Sequence, residues 1–308
     1  MLLGGLALFL YGMKIMGEGL ELAAGSHLKK ILEKLTTNKY LGMLFGIFIT
    51  AIIQSSSATT VMVVGFVNSG LMTLSQSVGI IMGANVGTTI TSQIIALNIS
   101  QIAPLIAFVG ILIILLAKKR KRLGYLGEII IGLGILFIGI NSMSDSMAPL
   151  KEVKEFQNIM IRFENPIMGV LIGTAVTCVI QSSSASIGIL QALASQGLVG
   201  IANTMYIIFG QNIGTCITTV LASIGSSKNA KRTALCHVLF NVIGAIIFIA
   251  IAFTLPFEKW MIALAPNSTV KQIANVHSIF NLGTTIILLP FSNFLVKTSL
   301  KWIPDDVK

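Results

Sequence analysis

The sequence predicts an all-α polytopic membrane protein made of two inverted-topology repeats. Each repeat holds a re-entrant helical hairpin and a broken transmembrane helix. Three observations predict this: a low charge content, an internal duplication, and matching loops of unlike basic charge. The 308 residues have a mean hydropathy of +0.89 and only 10% charged side chains. A soluble domain carries about 25%, so this chain is built for lipid.

The formal net charge is +10, yet the basic residues do not form a nucleic-acid patch. They cluster at the ends of apolar runs, as "KKRKR" (118–122) and "SKNAKR" (227–232). Cytoplasmic loops facing anionic lipid have that pattern. Three cysteines, Cys178, Cys216 and Cys236, sit in apolar runs without ligand spacing. They read as small buried residues rather than disulfides or metal ligands. The N-terminus is apolar from Met1 with no basic stretch before it, so residues 1–20 are expected to be a retained span.

Shifted by 127 residues, the sequence matches itself. Gln54-Ser55-Ser56-Ser57-Ala58 falls on Gln181-Ser182-Ser183-Ser184-Ala185, and "GANVGTTIT" (83–91) falls on "GQNIGTCIT" (210–218) without a gap. Residues 42–93 and 169–220 share about 20 identities in 52 positions. Apolar composition alone would not align Gln, Asn, Thr and Gly in one register, so this is a duplication. The loop at 98–104 is uncharged and its counterpart at 225–231 is basic. Segment 22–39 carries Lys29, Lys30, Lys34 and Lys39, whereas 149–166 is balanced by Glu152, Glu155 and Glu164. By the positive-inside rule, matching loops then lie on opposite sides, and the repeats are inverted.

Spans follow from the need for about 20 apolar residues per crossing. Repeat one (1–123) has an inward crossing at 1–20 and an amphipathic surface helix at 22–38. A hairpin at 40–70, a broken helix at 74–97 and an inward crossing at 101–117 complete it. Repeat two (124–254) has an outward crossing at 124–143, a surface segment at 145–164 and a hairpin at 166–197. It ends with a broken helix at 200–224 and an outward crossing at 233–254. Residues 255–308 hold a final helix at 277–296 and a cytoplasmic C-terminus, with the N-terminus outside.

Both Gln-Ser-Ser-Ser motifs lie in stretches without Asp, Glu, Lys, Arg or His, 40–117 and 165–227. A site there must use neutral groups. A helix N-terminus offers unpaired N–H donors and a partial positive charge to an oxyanion. Carbonyl, amide and hydroxyl oxygens suit a hard cation. The "SSSA" runs are expected to cap the second arm of each hairpin. "GANVGT" and "GQNIGT" are expected to break the next crossing helix, their glycines allowing close approach and unusual backbone angles. Thr50, Thr177, Ser69 and Ser92 read as single packing positions. Four consecutive polar residues, written twice among apolar runs, are costly to bury unless they serve a site. "HVLFN" (237–241) and "HSIFN" (277–281) repeat one spacing. The expected role of His237 and His277 is interhelical hydrogen bonding with Asn241 and Asn281, with a proton-sensitive or substrate role as the alternative. No carboxylate or third ligand accompanies them for a transition metal, and no enzyme chemistry is expected.

Paired Gln-Ser-Ser-Ser motifs, each followed by Gly-x-Asn-x-Gly-Thr, resemble the type II sodium-dependent phosphate cotransporters, most closely their bacterial branch. "AIIQSSSATTVMVVGFVNSG" (51–70) carries the likeness throughout, and it extends over nearly the whole chain. The resemblance implies sodium-coupled symport of inorganic phosphate across the cytoplasmic (inner) membrane, with no cofactor beyond sodium as coupling ion. It implies phosphate contacts at Ser55, Ser56, Ser57, Thr88, Ser182, Ser183, Ser184 and Thr215. It implies sodium contacts at Gln54, Gln181, Asn85, Asn212, Thr89, Ser57 and Ser184. Cys216 stands where repeat one has Thr89, so a sodium contact there is not expected to be mirrored. The implied partners are phosphate, sodium and the bilayer; a homodimer is compatible with this. Longer bacterial relatives continue into a helical domain similar to phosphate-uptake regulators, expected to be absent or removed here. The residues alone leave other small oxyanions, export, and an anion channel open.

Overall fold

The computed structural model describes residues 1–24, 38–97, 99–117, 120–156 and 165–305. Among them every regular element is helical. The expected surface helix at 22–38 falls almost wholly outside the described residues, as does 157–164 of the second surface segment.

The chain begins with α1 (Leu2–Ala24). The first hairpin is α2 (Lys39–Ile53) and α3 (Ser56–Asn68), joined by two residues, Gln54 and Ser55. Its counterpart is α7 (Pro166–Ile180) and α8 (Ser183–Ser195), joined by Gln181 and Ser182. Both first arms start on an asparagine cap: Tyr40 N–H donates to Asn38 Oδ1, and Ile167 and Met168 N–H donate to Asn165 Oδ1. The caps satisfy donors that a helix start leaves open. Each arm is 13 to 15 residues long, about 20 Å at 1.5 Å per residue. That is short of the hydrocarbon thickness of about 30 Å.

Between the hairpins lie α4 (Leu74–Ile95), α5 (Ala103–Ala117) and α6 (Lys121–Met147). After the second hairpin come α9 (Ile201–Gly214), α10 (Cys216–Ser223) and α11 (Lys228–Thr254). Last are α12 (Phe257–Leu264), α13 (Thr269–Leu288) and α14 (Ser292–Trp302). Among the described residues, four stretches are long and apolar enough to cross a membrane: 74–95, 121–152, 201–223 and 228–254. The bent pair α13–α14 is a fifth candidate.

The two halves pack alike. α2 lies along α4 and α7 along α9, each seam closed by glycines. A Cβ on Gly46 would stand 2.1 Å from Ile80 O, and one on Gly83 2.0 Å from Met43 O. The counterparts 127 residues on, Gly173 and Gly210, would meet Ile207 O at 2.0 Å and Val170 O at 2.1 Å. Only glycine lets these backbones come so close. α1 and α6, also matched by the 127-residue shift, cross antiparallel: Gly5 faces Gly139 and Gly12 faces Gly132.

Several sequence expectations need correction. α4 is one unbroken helix through "GANVGT"; only the second copy is interrupted, at Thr215, where α9 passes into α10. The glycines of these motifs have no positive φ, so they serve close approach alone. The crossing expected at 101–117 corresponds to α5, 15 residues long, preceded directly by a short 3-10 turn at Ser100–Ile102. The final helix starts at Thr269, not 277, and turns by 81° after Leu288, next to Pro290. Proline cannot continue a helix without a lost bond and a clash. The short α12 was not expected at all.

Hydrogen bonds place the ends. Lys39 Nζ donates to Pro290 O, Ser227 N–H to Asn68 Oδ1, and the buried Arg232 to Ile303 O and Asp305. The starts of α2 and α11 and the ends of α3, α13 and α14 therefore share one end, which is basic. Ser144 of α6 meets Ser195 of α8 at the other end, where Asn165 and Phe253 also lie close. Large apolar side chains such as Phe108, Leu116, Val179, Ile246 and Phe253 stay exposed around the bundle, as expected of a multi-pass membrane protein.

Candidate functional site

The two hairpin tips meet inside the bundle. At each tip the glutamine takes the left-handed backbone, φ 57° at Gln54 and 59° at Gln181, and caps the first arm through its N–H. These are the only non-glycine residues described with positive φ. The strain is about 1–2 kcal/mol for an L-residue, and it is stored twice at matched positions. Such strain persists where surrounding structure fixes it and often marks a functional position.

One residue later the chain is extended, and the first serine caps the second arm. Ala58 N–H donates to Ser55 Oγ at 3.1 Å, and Ala185 N–H to Ser182 Oγ at 3.2 Å. The expected caps are therefore present. Each second arm starts at the bundle centre, with its first N–H groups and positive dipole end directed at the tip. Each first arm ends beside it with carbonyl oxygens. Hydroxyl pairs brace the hairpins internally: Thr50 Oγ1 donates to Thr59 Oγ1, and Thr177 Oγ1 to Ser186 Oγ, both at 3.0 Å. Thr50 and Thr177 are thus more than packing positions.

Contacts across the halves join the tips. Ser57 Oγ donates to Gln181 O at 3.4 Å. Thr88 Oγ1, from the middle of α4, donates to Ser56 Oγ at 3.3 Å and lies 3.5 Å from Ser184 Oγ. Ser56, Thr88 and Ser184 are all buried. One hydroxyl of α4 thus links the N-terminal turns of both second arms.

The structure brings together only part of the expected set. Ser55 and Ser182 act on their own arms, and Ser183 is buried without a described cross-tip bond. Asn85 and Asn212 each donate to a carbonyl one turn back in their own helices, Ile81 O and Ile208 O. Asn212 Oδ1 and Thr215 Oγ1 are buried without a partner, so both remain open to a ligand. Thr89 Oγ1 donates to Val86 O of its own helix. Cys216 Sγ lies within donating distance of Asn212 O and His237 O and also accepts from Asn241 Nδ2 at 3.2 Å, so unlike Thr89 it is tied to α11.

The glutamines differ too. Gln54 is buried, and Thr91 Oγ1 donates to its Oε1 at 2.8 Å. Gln181 is exposed, and Thr218, the counterpart of Thr91, donates to Thr215 O instead. Thr91 was not singled out in the sequence, although it lies inside the duplicated run. The histidines also find other partners than expected. His237 Nδ1 pairs with Thr219 Oγ1 at 2.9 Å and His277 Nδ1 with Ser92 Oγ at 3.1 Å. Asn241 and Asn281 reach the histidines' backbone carbonyls, not their rings. Ser92 and Thr219 are themselves related by the 127-residue shift, so each half is tied to α11 or α13 by the same type of bond. Thr219 also donates to Thr60 of α3 at 2.9 Å.

This arrangement can cradle an anion between converging helix starts and hydroxyls, with carbonyl and amide oxygens nearby for a cation. Comparison with known proteins agrees with that chemistry. The sequence profile described as Na+/Pi-cotransporter matches twice, over residues 8–145 and again over 139–265. "Uncharacterized protein YqeW" of Bacillus subtilis is 34% identical over 301 residues, 96% of this chain and 95% of that protein. "Putative inorganic phosphate export protein YjbB" of Salmonella typhimurium is 29% identical over 307 residues, 99% of this chain but 56% of the relative. Human "Sodium-dependent phosphate transport protein 2B" is 37% identical over 99 residues, 32% of this chain and 14% of that protein. No solved structure matches. On the double profile match and the near full-length relative, the chain belongs to the Na+/Pi-cotransporter family.

Proposed function

We propose that this chain carries inorganic phosphate across a cytoplasmic membrane, coupled to sodium. The observation that carries the reading is Thr88 Oγ1 between Ser56 Oγ and Ser184 Oγ, where the two helix starts converge. In this reading phosphate oxygens take N–H and hydroxyl donors from Ser55, Ser56, Ser57, Ser182, Ser183, Ser184, Thr88 and Thr215. Sodium takes oxygens near Gln54, Gln181, Asn85, Asn212, Thr89, Ser57 and Ser184. No Lys or Arg lies between Tyr40 and Ala117 or between Asn165 and Ser227, the stretches that hold the serine motifs, so bound cations must offset a dianionic ligand. A bare dianion at low dielectric would be too costly to hold.

Inverted repeats, bounded at 1–123 and 124–254, belong to the same reading. It is supported by the antiparallel crossing of α1 and α6, the hairpins' openings at opposite ends, and the twofold profile match. The basic end is cytoplasmic, with the C-terminus on that side. Transport proceeds as the hairpin units move together against the remaining helices, by analogy with other hairpin-bearing transporters. The test is labelled phosphate uptake into proteoliposomes under an inward sodium gradient against an equal potassium gradient. Sodium-only uptake is expected; equal uptake in both rules out coupling. The name of the YjbB relative favours a second reading, export. Efflux from phosphate-loaded vesicles that exceeds influx under matched gradients would select it.

A further inference from the structure

A cavity of about 450 Å³ opens at the end of the bundle opposite the basic one. None of the residues assigned above to phosphate or sodium lines it. Its walls are the last turns of α4, α6 and α8 and the first turn of α13, with Ser144, Asp145, Gln191, Ser195 and Thr269 among them. Two of those helices, α4 and α8, present their C-terminal, negative ends to it, while α6 runs on into a 3-10 turn at Ala148–Glu152. Asp145 adds an exposed carboxylate.

Gln191 shows what is missing. It is 1% exposed, and its Nε2 donates to Ser92 O and Val270 O, both at 3.1 Å. Both amide protons are then used. Its Oε1 is buried without a partner. That oxygen can only accept, so whatever completes it is a cation or a donor. Ser144 Oγ and Ser195 Oγ, 2.8 Å apart, both point protons toward Ala192 O or each other, which leaves lone pairs free. Opposing charge comes from the first turn of α13, which carries the exposed Lys271 just beyond the lining residues Thr269 and Val270, and from the rim. The start of α13 is a positive helix end, and Lys151 Nζ lies 3.8 Å from where a Cβ on Gly197 would be, with an interaction of its own. One positive helix end with Lys271 beside it and an engaged rim lysine face the C-terminal ends of α4 and α8, a carboxylate and an acceptor-only amide.

We propose that this cavity is an outer vestibule that holds a hydrated monovalent cation, sodium in the coupled reading, before it reaches the serine tips. Carboxylate, amide and hydroxyl oxygens are the ligands that hard cations prefer. The volume leaves room for the ion with its water shell, at about 30 Å³ per water. The device is one-sided: the position matching Gln191 in repeat one is Val64, which cannot bond in this way. The identity of the ion rests on the sodium-coupled reading; the cation preference of the cavity does not.

The test has two arms in the full chain in proteoliposomes. Asn267, exposed on the rim, is replaced as Asn267→Cys and labelled with positively or negatively charged methanethiosulfonates of similar size. The cationic reagent is expected to react about 10-fold faster, within the range that focused fields give, and Asp145→Asn should remove most of that bias. In the second arm, Asp145→Asn should raise half-saturating sodium for phosphate uptake by about 3- to 10-fold while maximal flux stays. Absent or reversed labelling bias overturns the vestibule, as does an Asp145→Asn variant that changes neither arm. Equal wild-type flux in sodium and potassium instead overturns the coupled reading and leaves the labelling arm to decide the vestibule.

Discussion

Replacing Gly46 with alanine should disable transport without touching the serine motifs. The added Cβ would stand 2.1 Å from Ile80 O, whereas real contacts stay beyond 3.0 Å. α2 must therefore retreat from α4 by about 0.9 Å. Eight residues on, the same helix ends at Gln54, whose Oε1 accepts from Thr91 of α4 at 2.8 Å. A rigid retreat stretches that bond to about 3.7 Å, beyond hydrogen-bonding range. It also draws the tip away from Thr88. The packing strain should cost about 1–3 kcal/mol of stability. A misplacement near 1 Å at a working site can cost about 100-fold, so flux should fall by about 10- to 100-fold. The assay is labelled phosphate flux in proteoliposomes beside thermal unfolding in detergent. Gly65→Ala in α3 is the control, since nothing lies within 4 Å of the new methyl. Normal flux in Gly46→Ala would refute the claim that the α2–α4 seam sets the tip.

Gln181→Gly, at an exposed side chain, should raise thermal stability by about 1 kcal/mol, because glycine takes the left-handed backbone without strain. Gln54→Gly should not, because it also removes the buried acceptor of Thr91 Oγ1, a loss as large as the strain relieved. Flux should be lost in both, and unfolding and uptake measured on the same samples check both halves. Ser55→Ala and Ser182→Ala should each cost about 1 kcal/mol through the lost helix cap, read from denaturation midpoints. Thr219→Val should destabilise more than Ser92→Ala, by about 1–3 kcal/mol against a smaller loss. Thr219 joins two other helices through His237 and Thr60, whereas Ser92 Oγ bonds His277 and a carbonyl of its own helix, Thr89 O.

The hairpins were legible because four polar residues interrupt apolar runs, and Ser at a helix start is a local preference that burial does not override. The break expected in "GANVGT" was not legible as helix. Glycines that open a helix and glycines that let two helices touch look alike in sequence, and here Gly83 faces Met43 O within a continuous α4. The histidine partners were hidden for a related reason. Ser92 and Thr219 are lone hydroxyls in apolar helices, and only the packing of α11 and α13 brings His237 and His277 to them. Gln191 carried no signal, since its repeat counterpart is an ordinary valine. The turn after Leu288 could have been read from Pro290, but the apolar run hides it by continuing through "LLPF".

Equilibrium binding of labelled phosphate to the purified protein tests the central claim most directly, comparing wild type with Ser56→Ala and Ser184→Ala in sodium and in potassium. If the converging tips form the phosphate site, binding needs sodium and weakens by about 10-fold or more in each variant, the loss of a hydrogen bond to a charged group. Phosphate bound equally well by both variants and the wild type would place the site elsewhere and contradict the account.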